Sequence, residues 1–144
     1  MLLTGNPHVD AEQAFRRALR ARRRAALLGT LRRSPAPELR VLDERDLMRS
    51  RRTVTRGVHE IPLDSITATL EPARAPQFDG RFRPARRTAR PRWERVWLAE
   101  HRGQPLPPIS VVRFGDRYAV RDGHHRVSVA RARGAATIDA VEVS

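Results

Sequence analysis

The spacing of apolar positions changes several times along the chain, and each change predicts an element. In 10–33, Ala11, Ala14, Phe15, Ala18, Leu19, Ala25 and Ala26 recur at helical spacing. Arg16, Arg17, Arg20, Arg23 and Arg24 crowd the other side, so the pattern predicts an amphipathic helix. Asp10 followed by Gln13 offers a capping-box start. A Pro-rich break at 34–40 follows, and 43–50 predicts a short helical turn. In 57–69, Val58, Ile61 and Leu63 with Pro62 among them predict an edge strand and then a turn.

The segment 71–91 has four prolines and no clear period. It is too long for an inert connection in a compact domain, so a functional lid or a mobile stretch is expected. Its arginines, among them Arg74, Arg81, Arg83, Arg86, Arg87 and Arg90, interleave with Phe78 and Phe82. That mixture suits base stacking plus phosphate contact on nucleic acid, and equally a solvated loop anchored by two phenylalanines.

Pro91 then opens a helix in which Trp93, Val96, Trp97 and Glu100 share one edge and Gly103 supplies the stop. The two tryptophans are expected in the core. Residues 109–114 and 117–122 predict a hairpin around Gly115 and Asp116. A helix at 125–133 ends at Gly134, and 137–143 alternates as a final strand. The order β–α–β–β–α–β from residue 57 predicts an α+β fold, a small mixed sheet with packed helices, preceded by an N-terminal Arg-rich helix. A boundary near Arg56 divides a basic helical extension, 1–56, from a domain at 57–144.

Charge sharpens this picture. Of 144 residues, 29 are basic and 16 acidic, a net charge of +13, and every basic residue is arginine. Up to Arg56 there are 14 arginines against 6 acids, and after it 15 against 10, so both parts are basic. Such an excess favours polyanionic partners: nucleotides, nucleic acid or an anionic surface. The Arg-rich helix has the composition to lie on DNA, on a membrane surface or on a partner (a second copy of the chain included), or simply to pack on the domain. The absence of lysine excludes P-loop and Schiff-base chemistry. The absence of cysteine excludes disulfides, thiolate metal sites and cysteine nucleophiles. No apolar run approaches a membrane span and no secretory leader is evident, so a cytoplasmic protein is expected.

The candidate chemistry sits at 122-DGHHR-126, where a strand ends in Asp-Gly and a helix begins. The first N–H groups of a helix lack intrahelical acceptors and carry the positive end of its dipole. Gly123 allows close backbone approach, Arg126 can add a bidentate contact to phosphate, and His124 and His125 can donate hydrogen bonds or move protons. The competing reading is a polar helix start with exposed imidazoles. Zinc coordination lacks a third ligand at a recognisable spacing, and a histidine–metal nuclease lacks nearby carboxylates beyond Asp122.

Residues 57–144 resemble the ParB N-terminal / sulfiredoxin-like superfamily, in its stand-alone form. The resemblance is carried by IPLDSI at 61–66, by the helix ending at Gly103, and most specifically by 120-VRDGHHRVSVARARG-134. It implies a domain that holds a nucleoside phosphate at this helix start, CTP or ATP with Mg²⁺, with uses that include binding, hydrolysis and nuclease activity. Carried over, Gly123 matches the box glycine and Arg126 its last arginine. His125 stands where sulfiredoxins have histidine and partition proteins arginine, and His124 where CTP-binding members have glutamate and sulfiredoxins the reactive cysteine. Sulfiredoxin activity is therefore excluded. Gly103 and Pro107 match an upstream Gly-x-x-x-Pro element, after which Arg113 is the nearest counterpart of a strand arginine. The expected cradle is thus Gly123, His124, His125, Arg126 and Arg113, with arginines of 74–92 closing over it and His124 or His125 as proton carriers if the nucleotide is turned over. Nonspecific DNA contact through the basic surface is the alternative, and it can coexist with nucleotide binding.

Overall fold

A computed structural model describes residues 3–32, 38–49 and 53–143. The first helix, α1, is Pro7–Leu31. It starts a turn earlier than the capping-box pattern suggests, because Asn6 caps it by accepting from the His8 amide at 3.1 Å and Pro7 sits in its first turn. Asp10 is inside the helix instead. It is buried, and its Oδ1 accepts from both the amide and the hydroxyl of Thr4 at 2.8 Å. Most of the Pro-rich break lies outside the described residues. After it come a two-residue strand β1, Arg40–Val41, and a short helix α2, Glu44–Met48, closed by a capping box between Asp43 and Asp46.

The 57–69 stretch is not one strand but two. Val58–Pro62 forms β2 and Ile66–Thr69 forms β3, separated by a 3-10 turn at Leu63–Ser65. Two more 3-10 turns, Ala75–Gln77 and Arg87–Ala89, precede α3 (Arg90–His101), and then come β4 (Ile109–Phe114), β5 (Arg117–Asp122), α4 (His124–Ala132) and β6 (Thr137–Glu142). Six strands make one mixed sheet in the order β1-β3-β5-β4-β6-β2. The β4–β5 and β2–β6 pairs are antiparallel and the other three parallel. The turn at 63–65 therefore carries the chain from one edge of the sheet to a strand near the other. The fold is α+β, with β2 at an edge where Pro62 is tolerated.

Ile61, Ile66, Ile109, Val111, Val120 and Val127 join sheet and α4 in one core. A second core lies between helices, where Phe15 and Leu19 of α1 meet Trp93 and Trp97 of α3 and Val129 of α4. Phe15 and Trp93 pack edge to face with centroids 5.6 Å apart. Both sides of Arg56 thus share one packed body, because β1 pairs with β3 and α1 packs on α3. Of the readings open for α1, its apolar stripe packs on the domain as far as Leu19, while Leu27, Leu28 and Leu31 are exposed.

The 71–91 segment departs from the lid expectation. Phe78 and Phe82 are buried in the core and offer no face for stacking bases. The turn between them is braced by Asp79, whose Oδ1 accepts from the amides of Arg81 and Arg83 at 2.9 Å. Phe78 bridges to Pro84, and the Ala85 amide donates to the Gln77 carbonyl at 2.8 Å.

Candidate functional site

Strand β5 runs into α4 through Gly123, which takes φ +111°. A Cβ there would lie 2.5 Å from Ile109 Cγ2 and 2.9 Å from Ile109 Cβ. Glycine is therefore required twice, by the left-handed backbone and by the first residue of β4 packed against it. This close approach sets the start of α4 directly over the sheet and draws His124 and His125 inward. Both are buried, at 5% and 9% exposure, so the reading of exposed imidazoles does not apply.

The two rings have different surroundings. His124 Nε2 lies 2.6 Å from Thr69 Oγ1, at the end of β3. That hydroxyl already accepts from the Glu71 amide at 2.9 Å, and its other contact, the Val120 carbonyl, is at 3.4 Å. We assign its proton to Nε2, which puts the histidine's own proton on Nδ1. His125 packs edge-on against Phe78 at 5.1 Å, and both its ring nitrogens are buried without a hydrogen-bond partner. Burial, helped by Arg74 beside His124 and by Arg92 and Arg74 beside His125, pushes both imidazoles down to about 4. Both rings are therefore neutral at pH 7, each with one N–H donor.

A cleft of about 220 Å³ opens at this corner. Its wall is Gly123, His124, His125 and Arg126 on one side and Arg74, Arg92 and Arg95 on the other. Arg92 and Arg95 come from α3, and none of the three has an acidic partner among the described residues. Arg74 and Arg92 fall in the segment expected to close over the cradle. Arg95 was not anticipated, although its spacing of three from Arg92 on one helix was a readable signal.

Two other expected residues are placed differently. Arg126 lines the cleft, but its Nη1 donates to the carbonyls of Pro107 at 2.5 Å and Pro108 at 3.1 Å, and its Nη2 to Asp122 Oδ2 at 3.1 Å. It ties the Pro107–Pro108 segment to the helix start. Arg113 is not in the cleft. It pairs in register with Tyr118, at the far end of the hairpin from Asp122, donates to the Tyr118 hydroxyl at 3.0 Å, and lies 3.1 Å from Glu142 Oε1. The strand carries it away, at about 3.3 Å per residue.

The donor set does not make a resident Mg²⁺ site. Among the described residues no three His, Cys, Asp or Glu side chains cluster to hold a metal, and Asp122, the carboxylate at the cleft, is paired with Arg126.

Among solved structures, the chain is similar to sulfiredoxin from Arabidopsis thaliana, with 18% identity and a TM-score of 0.44, over 61% of this chain and 85% of that one. No family model matches the chain, and no curated protein matches it. No helix among the described residues is long and apolar enough to cross a membrane. What the cleft can do follows from its own residues.

Proposed function

We propose that this chain binds a phosphate-bearing ligand, with a nucleoside triphosphate as the expected class, in the cleft at the start of α4. The carrying observation is the combination there of a buried imidazole with no partner at either nitrogen and a cleft flanked by three arginines, none of them paired with an acid among the described residues. An isolated buried N–H is unfavourable, and so is a concentration of like charge. A phosphate group relieves both. The guanidiniums of Arg74, Arg92 and Arg95 supply charge-assisted contacts, and the first amides of α4 point the positive end of the helix at the ligand. His125 supplies a neutral donor. Arg126 and Gly123 act as positioning residues, one holding the Pro107–Pro108 segment and the other seating the helix on Ile109.

The reading is of binding. Any Mg²⁺ enters with the ligand's own phosphates, since Asp122, the carboxylate at the cleft, is already paired with Arg126. CTP and ATP are the nucleotides that the family resemblance nominates. Titration calorimetry with CTP, ATP, GTP and ADP, with and without Mg²⁺, tests this. At least one should bind, and Arg74→Gln with Arg92→Gln should weaken it by roughly tenfold or more, corresponding to about 1.4 kcal/mol or more. Absence of binding by all four, or unchanged affinity in the double variant, would overturn it.

Contact with nucleic acid has one surface in its favour. Arg16, Arg20 and Arg23 of α1 face Arg87 and Arg90 across a groove of about 710 Å³. Glu12 offsets part of this charge through Arg16 at 2.6 Å and Arg90 at 3.6 Å. Nonspecific binding through this groove predicts a steep loss of DNA affinity with rising salt, as counterions are released on each phosphate contact. A flat salt dependence counts against it.

A further inference from the structure

A second cavity, of about 370 Å³, lies between α1, α3, α4 and the turn at 78–84, and shares no residue with the cleft at His125. Its volume falls within the roughly 300–1,000 Å³ range of small-molecule sites. It originates in the sequence of α1. Phe15 and Leu19 fill the contact with Trp93, whereas Ala14, Ala18 and Ala21, at i, i+4 and i+7, form the adjacent strip. Methyl side chains leave the space toward α4 open. Trp97, Pro84 and Ala132 line the rest of the apolar wall, with Phe82 at its base.

The rim has the opposite character. Arg17, Arg81, Arg83 and Arg131 surround the cavity. Asp79 pairs with Arg83 at 3.3 Å, and Asp64 approaches Arg131 at 3.6 Å. Arg17 and Arg81 have no acidic partner among the described residues. Arg81 and Arg83 stand on the turn that Asp79 braces through their amides, so their backbone is fixed. Phe82 between them holds φ +59°, a left-handed conformation rare for a residue with a side chain. The result is an apolar pocket with a rigidly mounted cationic mouth. Arg131 gains from any added anion, because burial holds its pKa below the ordinary value and Arg81 and Arg83 repel it further.

We propose that this cavity binds a small amphiphilic anion: an aromatic or aliphatic body carrying one carboxylate, sulfonate or phosphate group. The body removes apolar surface from water against Trp97 and the alanines, and the head group pairs with Arg17 and Arg81. A neutral ligand of the same shape leaves the guanidiniums unmatched. An inorganic anion leaves the apolar wall wet.

The test is an NMR titration of the full, isotope-labelled chain with 2-naphthoate, with 2-naphthylmethanol as the neutral match and sodium sulfate as the bodiless anion. Naphthoate should shift the Trp97 indole and the Ala18 and Ala21 amides, and bind at least tenfold more tightly than the alcohol. Sulfate should leave those signals in place at the same concentration. Arg17→Gln combined with Arg81→Gln changes two exposed side chains and should raise the naphthoate Kd at least fivefold without altering that of the alcohol. Ala18→Leu should remove binding by filling the space. Equal affinity for both naphthalenes, full affinity in the double variant, or shifts confined to the His124 and His125 signals would each overturn the proposal. The nucleotide titration reads a different set of residues, so either result stands without the other.

Discussion

Thr69 Oγ1 meets His124 Nε2 at 2.6 Å, joining the last residue of β3 to the first residue of α4 across 55 positions of sequence. The contact satisfies a buried ring nitrogen and orients the imidazole beside the cleft. The same hydroxyl accepts the Glu71 amide, so one side chain serves two polar groups.

Thr69→Val keeps the shape of the side chain and removes both contacts. The loss of partners for Nε2 and for the Glu71 amide should destabilise the fold by about 1–3 kcal/mol. Chemical denaturation measures the loss. Thr69→Ser, which keeps the hydroxyl, should recover most of it. A Val variant as stable as wild type would show that the contact contributes nothing.

Gly123→Ala meets both the +111° backbone and Ile109. Roughly 2–4 kcal/mol of destabilisation is expected from strain and overpacking together. Ile109→Ala in the same chain removes the Cγ2 that a Cβ at 123 would meet and should recover part of the steric component and none of the backbone component, a split that a double-mutant cycle resolves. Full recovery would assign the whole effect to the clash.

Phe15→Ala tests whether α1 belongs to the core. The ring is 2% exposed and sits against Trp93, so its removal should cost about 3–5 kcal/mol, far more than an appended helix would show. The indole Nε1 of Trp93 donates to Ser128 Oγ at 2.9 Å, so tryptophan fluorescence should report the same loosening.

The histidines predict a pH dependence with a definite sign. Both have folded-state values of about 4 against 6.5 for an unperturbed imidazole. Between these values the unfolded chain binds more protons than the folded one, so stability rises with pH there. It is fully present above about pH 6.5 and is lost as pH falls through 4. The effect is roughly 3 kcal/mol per histidine, since one pKa unit is worth about 1.4 kcal/mol. Urea midpoints from pH 7.5 to 4 measure it, and His125→Phe should flatten the curve. A bound phosphate opposes the arginines and should raise the His125 value, visible in its ring proton titration.

The C-terminal half was legible because its signals are local. The hairpin at 109–122 and the final strand follow from alternation within a few residues of each turn, and α3 and α4 from helical spacing that ends at Gly103 and Gly134. The burial of Trp93 and Trp97 followed from one helical edge. The capping of α1 misled because two capping patterns stand four residues apart, and Asn6 with Pro7 comes first along the chain. The split of 57–69 into β2 and β3 was hidden, since Pro62 punctuates a strand without saying that its two sides join opposite parts of a sheet.

The sequence alone determined the elements of the C-terminal half, the Asp-Gly turn into α4, the arginine excess and the exclusion of cysteine and lysine chemistry. Each depends on residue type or on neighbours a few positions apart. Only the tertiary structure decided that His124 and His125 are buried, that Arg126 holds the Pro107–Pro108 carbonyls, that Arg113 lies at the far end of its hairpin, and that Arg95 joins Arg74 and Arg92 at the cleft. Burial and charge environment are sums over groups distant in sequence. They take values only once sheet order and helix packing have fixed which groups share a space.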